Sequence, residues 1–306
     1  MAPPILDMRN RPSWLHKFFG STPATPEYEV VRWLNKRVGS KDVDHFTQSP
    51  TLVDFTAEMD SADIAMAVMV ARSTPTVRVS NDDVAATARE SGGRLVGVAS
   101  VDPVELGPKK SLDELERAIS KLGLRGLNID AGFYAQAMRV DDPILLPLYE
   151  ACQGLGVPVY LLSGPTTPDL RLNDPYAIDR VAQQFPTLPI VACHGCYPHV
   201  ADIVSVAFRR ENVFVSPDMY MFSPGGKLYI EAANGFMQDQ YLFGTSYPFR
   251  PMRQSVDDLR AIGLKPEPLE KVSYRNACRL LKLDEAAIAS WSAPEPEWRV
   301  LSAAVP

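Results

Sequence analysis

Eight short apolar runs, separated by stretches of helical periodicity, constrain this chain more than any other feature. The runs are 5–9, 64–71, 95–99, 126–128, 157–162, 190–193, 213–216 and 241–245. Helix-like segments at 51–60, 82–90, 111–121, 143–154, 175–185 and 199–210 lie between them. In "SLDELERAISKLG", Ser111 and Glu114 have the spacing of a capping box, Leu112, Leu115, Ile119 and Leu122 recur at helical spacing, and Gly123 provides a stop. Continuous apolar strands alternating with amphipathic helices predict a buried parallel sheet. Eight of them predict an α/β fold closed into a (β/α)8 barrel, with an open doubly wound sheet as the alternative. The length of 306 residues suits one barrel, for which roughly 250 is typical. No GxGxxG or GxxxxGK[ST] follows any of the runs, so nothing favours a nucleotide-binding version.

Two segments fall outside the repeat. Residues 13–50 form a long insertion after the first strand, at the end where barrels build their sites. Its aromatics are Trp14, Phe18, Phe19, Tyr28, Trp33 and Phe46. They are expected to cover the barrel mouth or the next helix, with a lid or a homodimer contact as the other uses. The barrel is expected over 1–285 and a C-terminal tail over 286–306, in which "SAPEPEWRVLSAAVP" reads as extended and docked through Trp298. Lys+Arg 31 against Asp+Glu 37 gives a net charge of −6, which argues against nucleic acid or an anionic membrane as a partner. The start shows no secretory signal, and "IAMAVMVA" is far too short for a span of about 20 residues. Four cysteines make no disulfide scaffold, so reduced thiols in a cytoplasmic protein are expected.

The chemistry is expected at the strand ends. In "ILDMRNRP" Asp7, Arg9 and Arg11 alternate, so a regular strand points all three to one face. "CHGC" lacks the second pair of a zinc site and only partly imitates a redox motif. Alternation should turn Cys193 away from His194 into the strand–helix layer, and Cys196, although near enough to the pocket, is not counted among the expected site residues.

The blocks "RVDDPILLPLYEACQGLGVPVYLLSG", "PIVACHGCYP", "RRENVFVSPDMY", "QYLFGTSYPF" and "VSYRNACRLLKL" together resemble the amidohydrolase-2 branch of the amidohydrolase superfamily. The resemblance runs from Ile5 to Leu283 and implies a TIM-like barrel with its site at the C-terminal strand ends. That branch holds metal-dependent decarboxylases, hydratases and hydrolases, and metal-independent lactonases. Its metal ligands are Asp-x-His-x-His on the first strand, a His ending the fifth, a His ending the sixth and an Asp ending the eighth. Here those positions read Arg9 and Arg11, Ser163 in "LLSG", His194 in "ACHG" and Ser246 in "FGTSYPF". The first strand resembles a metal-ligand-poor subgroup reading Asp-x-Arg-x-Arg-Pro.

Arginine offers no lone pair and stays protonated, so it does not replace an imidazole ligand. No catalytic metal and no other cofactor is therefore expected. Arg9 and Arg11 would instead hold a substrate carboxylate, polarise a carbonyl, or tie down neighbouring aspartates. His194 is the candidate acid–base group. Asp218 and Asp130, just past the seventh and fourth strands, are either bases or arginine partners. Asn128, Ser163, Ser246 and Tyr247 complete the expected substrate-binding set, with Tyr197 and Tyr220 as polar tips on an apolar wall. No serine stands in a G-x-S-x-G elbow. The reading is a metal-independent, lactonase-like hydrolase acting on a small acidic molecule. A decarboxylase or hydratase and a non-catalytic binding barrel are the alternatives.

Overall fold

Seven of the eight apolar runs become strands of one parallel sheet in the computed structural model, which describes residues 2–20 and 22–294. They are β1 (Ile5–Asn10), β2 (Ile64–Val70), β5 (Leu95–Ser100), β6 (Leu127–Ile129), β7 (Val159–Leu162), β8 (Ile190–Cys193) and β9 (Val213–Ser216), in that spatial order. A small antiparallel hairpin of β3 (Arg72–Ser73) and β4 (Arg78–Val79) follows β2.

The eighth run is not a regular strand. Tyr241 bridges to Val215 of β9 and Tyr247 to Asn10 of β1. Met8 donates its N–H to the Phe243 carbonyl (2.9 Å), Ser246 donates to Arg9 (3.0 Å) and Arg11 donates to Tyr247 (2.9 Å). The segment therefore fills the gap between β9 and β1 and closes the barrel. It fails to be a strand because the Asp7 carboxylate captures the Thr245 N–H at 2.9 Å, and because Ser246 takes a left-handed backbone with φ +57°.

Outside the sheet lie α1 (Pro26–Arg37) in the insertion, α2 (Leu52–Ser61), α3 (Asn81–Glu90), α4 (Pro103–Leu106) and α5 (Pro108–Ser120). These are followed by α6 (Leu146–Leu155), α7 (Pro175–Gln184), α8 (Val200–Arg209), α9 (Lys227–Ala233) and α10 (Met252–Ala261). The expected capping box at Ser111 does not form. Pro108 starts α5 one turn earlier, Ser111 is internal and donates to Gly107, and Glu114 binds Asn81 and Arg117.

Period-two alternation separates two apolar layers. Val159 and Leu161 of β7, and Ile190 and Ala192 of β8, pack outward under the helices; Tyr160, Leu162, Val191 and Cys193 pack inward. Cys193 thus faces the barrel interior and not the strand–helix layer. His194 breaks the alternation with φ +58°, so consecutive residues both turn inward. Tyr274, Ala277, Leu280 and Leu281, which run into α12 (Asn276–Leu281) after α11 (Pro266–Glu270), join the inner layer and plug the barrel's N-terminal end.

The C-terminal segment begins as a helix, α13 (Glu285–Ala289), capped by Asp284 and anchored by Ile288, ahead of the stretch expected to be extended. Residues 295–306, with Trp298, lie outside the described part. No helix among the described residues is long and apolar enough to cross a membrane.

Candidate active site

The site is organised by an irregularity in β1. Asp7 pairs with Ala67 and Asn10 with Met69, so three steps along β1 match two along β2, the signature of a bulge. Asp7 seals it: Oδ1 accepts from the Arg9 N–H (3.0 Å) and Thr245 N–H (2.9 Å), and Oδ2 accepts from Thr245 Oγ (2.6 Å). Asp7 is therefore engaged with the closing segment, and of the three expected side chains only Arg11 lines the cavity, with Arg9 buried behind it. Burial pushes Asp7 up to about 7.

Arg9 is 1% exposed and turns inward. Its Nη1 donates to Cys193 Sγ at 3.1 Å, and its Nε lies 3.9 Å from Asp218 Oδ2. Asp218 also accepts from Ser216 Oγ at 2.6 Å and from the His194 backbone N–H at 3.2 Å. His194 Nδ1 stands 2.8 Å from the same carboxylate, which sits off the N–H axis. Burial alone would raise Asp218, but His194, Arg9 and Ser216 outweigh it and hold the acid below the usual carboxylate range. Burial, assisted by Arg9 and Arg11, lowers His194 against the support of Asp218. At neutral pH the pair is an imidazole beside a carboxylate. With Nδ1 facing Asp218, Nε2 is left for a ligand.

Arg11 differs from Arg9 in having no counter-ion. It is buried, it lines the cavity, and its Nε and Nη2 find no partner among the described residues. Burial, with repulsion from Arg9 and Arg72, pulls its pKa well down, and only Asp130 and Cys193 oppose the fall.

Arg72 was not anticipated from the sequence. It follows the second barrel strand in "AVMVAR", and a charged residue directly after an apolar run was the available signal. Its Nε lies 3.6 Å from Asp130 Oδ2 and its guanidinium sits 4.6 Å from the Phe133 ring centroid. Asp130 also accepts from Asn128 Nδ2 at 2.8 Å, while Asn128 Oδ1 and Asp130 Oδ1 are buried without partners.

These groups meet at a cavity of about 420 Å³ at the C-terminal strand ends. Arg11, Arg72 and His194 supply its charged and titratable lining, and Phe133, Leu162, Met219 and Phe249 supply apolar wall. The insertion contributes Phe18, Val30, Trp33 and Leu34, so it covers the mouth as expected. Its remaining aromatics pack below: Phe19 and Phe46 are fully buried, and Trp14 sits edge-on to Phe55 at 5.4 Å.

Of the expected site residues only Arg11 and His194 line this cavity: Arg9, Asn128, Asp130 and Asp218 lie behind them, and Ser163, Tyr247 and Ser246 are taken up by packing. Ser163 Oγ donates to the Cys193 carbonyl (2.9 Å) and touches Cys196 Sγ (3.2 Å), which places that thiol in packing as well. The Tyr247 ring is wedged edge-on against His45 and Phe55, at 5.3 and 5.2 Å. Ser246 is buried with its Oγ unpartnered. Tyr220 sets its ring edge-on to His194 at 5.4 Å and stacks on Tyr197.

Left-handed backbone marks the rim. His194 (φ +58°), Asp218 (φ +55°) and Ser246 (φ +57°) end the last three barrel positions, although none is glycine. Such residues cost roughly 1–2 kcal/mol each, and they concentrate where side chains must be aimed.

The divalent cation implied by the resemblance does not fit this donor set. Two guanidiniums occupy the first-strand positions, Ser163 is tied to backbone, and Arg11 adds an uncompensated positive charge. Among the described residues, no three His, Cys, Asp or Glu side chains are grouped to hold a metal.

Comparison with known proteins agrees with the architecture. A solved but uncharacterized TIM-barrel protein of Bordetella bronchiseptica is 33% identical, with TM-score 0.82 over 94% of this chain and 99% of its own. A dihydroxybenzoic acid decarboxylase of Polaromonas sp. JS666, solved with manganese and 2-nitroresorcinol, shares the fold at TM-score 0.65 and 18% identity, covering 95% of this chain and 99% of that one. A 2-amino-3-carboxymuconate-6-semialdehyde decarboxylase of Dictyostelium discoideum is 36% identical over 81 residues, 26% of this chain and only 21% of that protein's length. The amidohydrolase family model matches residues 35–283. On that match across most of its length, the chain belongs to the amidohydrolase family.

Proposed function

We propose that this protein is a metal-independent lyase that removes CO2 from a small unsaturated carboxylic acid. The observation that carries the reading is a charge imbalance: three buried guanidiniums, Arg9, Arg11 and Arg72, face only two acids, Asp218 and Asp130. A cavity with a surplus buried cation is built for an anion. The first strand is also assigned to the Asp-x-Arg-x-Arg-Pro subgroup. The named relatives with an activity are decarboxylases, which supports a lyase over the lactonase-like hydrolase expected from the sequence.

In this scheme the carboxylate enters beside Arg11, and its charge offsets the field that keeps His194 neutral. His194 then takes a proton at Nε2, with Asp218 holding Nδ1. The bond between the carboxyl carbon and the acceptor carbon breaks, its electron pair stays with the acceptor, and CO2 leaves. The displaced negative charge remains beside fixed guanidiniums in a site with apolar walls, where one such donor is worth about 3 kcal/mol. The acceptor carbon takes the proton from Nε2, and solvent restores it. Asp130, with Asn128 bonded to it, is proposed to position Arg72.

A second reading is hydrolysis, since a neutral imidazole beside a carboxylate is also a general base for water. Carboxyl-labelled hydroxybenzoates and unsaturated monocarboxylic acids, together with acids carrying a lactone ring as the hydrolysable bond, incubated in 18O-water, separate the two. Release of labelled CO2 without 18O in the organic product supports the lyase. Incorporated 18O with the carboxyl group retained supports the hydrolase, and neither event with any acid overturns both.

A further inference from the structure

The charges pair off with one left over, and this tells what the ligand must carry. Arg9 stands against Asp218 at 3.9 Å and Arg72 against Asp130 at 3.6 Å. Arg11 has no salt bridge among the described residues, with Asp130 acting on it only beyond ion-pair distance and two of its N–H groups unsatisfied at the cavity wall. Asp7 does not fill the role, because both its oxygens are engaged with Thr245.

Away from Arg11, Arg72 and His194 the lining carries no charge: it is largely apolar, with Trp33, Leu34, Phe133, Leu162, Met219 and Phe249, and its other polar side chains are the neutral Thr76 and Thr166. Arg72 already has a carboxylate, Asp130, at ion-pair distance and the face of Phe133 beside it, although its Nε makes no hydrogen bond. A second carboxylate on the ligand would meet carbon or an uncharged threonine hydroxyl, or compete with Asp130 for the cation it faces. Burying it unpaired is strongly unfavourable.

We infer that the site accepts a monoanionic acid with an apolar, unsaturated body and rejects the corresponding dianion, with Arg11 as the specificity-determining cation. The inference rests on the reading that the cavity takes a carboxylic acid, and it narrows that reading to one charge and one anchor. The lining holds one cation without a salt bridge, Arg11.

The test is calorimetric titration of the full chain with benzoate, 2-hydroxybenzoate, isophthalate and benzamide, using wild type, Arg11→Gln and Arg11→Lys. The monocarboxylates are expected to bind at least about tenfold more tightly than isophthalate or benzamide. Arg11→Gln is expected to lose about tenfold or more for the monocarboxylates, and Arg11→Lys to recover part of that loss. A thermal melt controls for folding, because removing an uncompensated buried charge should leave the melting temperature unchanged or raised. Isophthalate binding as tightly as benzoate, or Arg11→Gln binding unchanged, overturns the inference. If the acids bind in the expected order but release no CO2, the lyase reading fails and this one stands. If CO2 is released from dicarboxylates in preference, the reverse holds, and binding of none of the acids overturns both.

Discussion

His194 is held between opposing influences, and its usefulness follows from that balance. Burial and two arginines favour the neutral ring, whereas Asp218 at 2.8 Å favours the charged one. A bound anion tips the balance toward protonation. His194→Asn should therefore lower turnover by about 10²–10⁴-fold while leaving acid binding largely intact, as read by CO2 release and titration on the same sample.

Asp7 gives a second prediction at this scale, and its sign is opposite to that of most buried acids. Its ordinary value is 3.8 and its folded value about 7, so between these pH values the folded state holds a proton that the unfolded state has lost. The associated stability is fully present below about pH 4 and is lost as pH rises to 7, by about 4 kcal/mol at the limit. Asp7→Asn should abolish this slope and melt at a higher temperature than wild type above pH 7, with little difference at pH 4. Equal pH dependence in the two proteins would show that Asp7 titrates normally.

Among the elements, the closing segment after β9 combines structural and functional duties. Gly244 lies where a Cβ would stand 2.6 Å from Asp218 Oδ1 and 3.3 Å from Arg9 Cβ. The carboxylate has no freedom to retreat, since Ser216 and His194 hold both its oxygens. Gly244→Ala should cost about 1–3 kcal/mol in urea denaturation and depress turnover by pushing Asp218 from His194. The β1 bulge acts in the same region. It turns Arg9 toward the interior where strict alternation would have kept it level with Asp7.

At the scale of the whole molecule, the barrel is closed at one end by side chains and left open at the other. Leu281, 3% exposed in the plug, belongs to the inner apolar layer, and Leu281→Ala should cost about 2–5 kcal/mol by chemical denaturation without changing ligand specificity. Dialysis against a strong chelator should leave both the melting temperature and turnover unchanged, with metal analysis confirming removal. A loss of activity restored by manganese would refute the metal-independent mechanism.

Much of this architecture was legible in the chain itself. Apolar runs such as 190–193 and 213–216 match β8 and β9 residue for residue, and His194, Asp218, Asp130, Arg9 and Arg11 do gather at one end. What was not legible concerns direction and pairing. Alternation put Cys193 on the wrong face, grouped Asp7 with the arginines, made 241–245 a strand and passed over Arg72. Periodicity and capping are local properties, carried by neighbours a few residues apart, so the linear order of residues determines them. Which carboxylate meets which guanidinium, and which strand bulges, depends on contacts such as that between Asp7 and Thr245, 238 positions apart. Such contacts exist only once the barrel has closed, and that is why the surplus charge of Arg11 belongs to the tertiary structure alone.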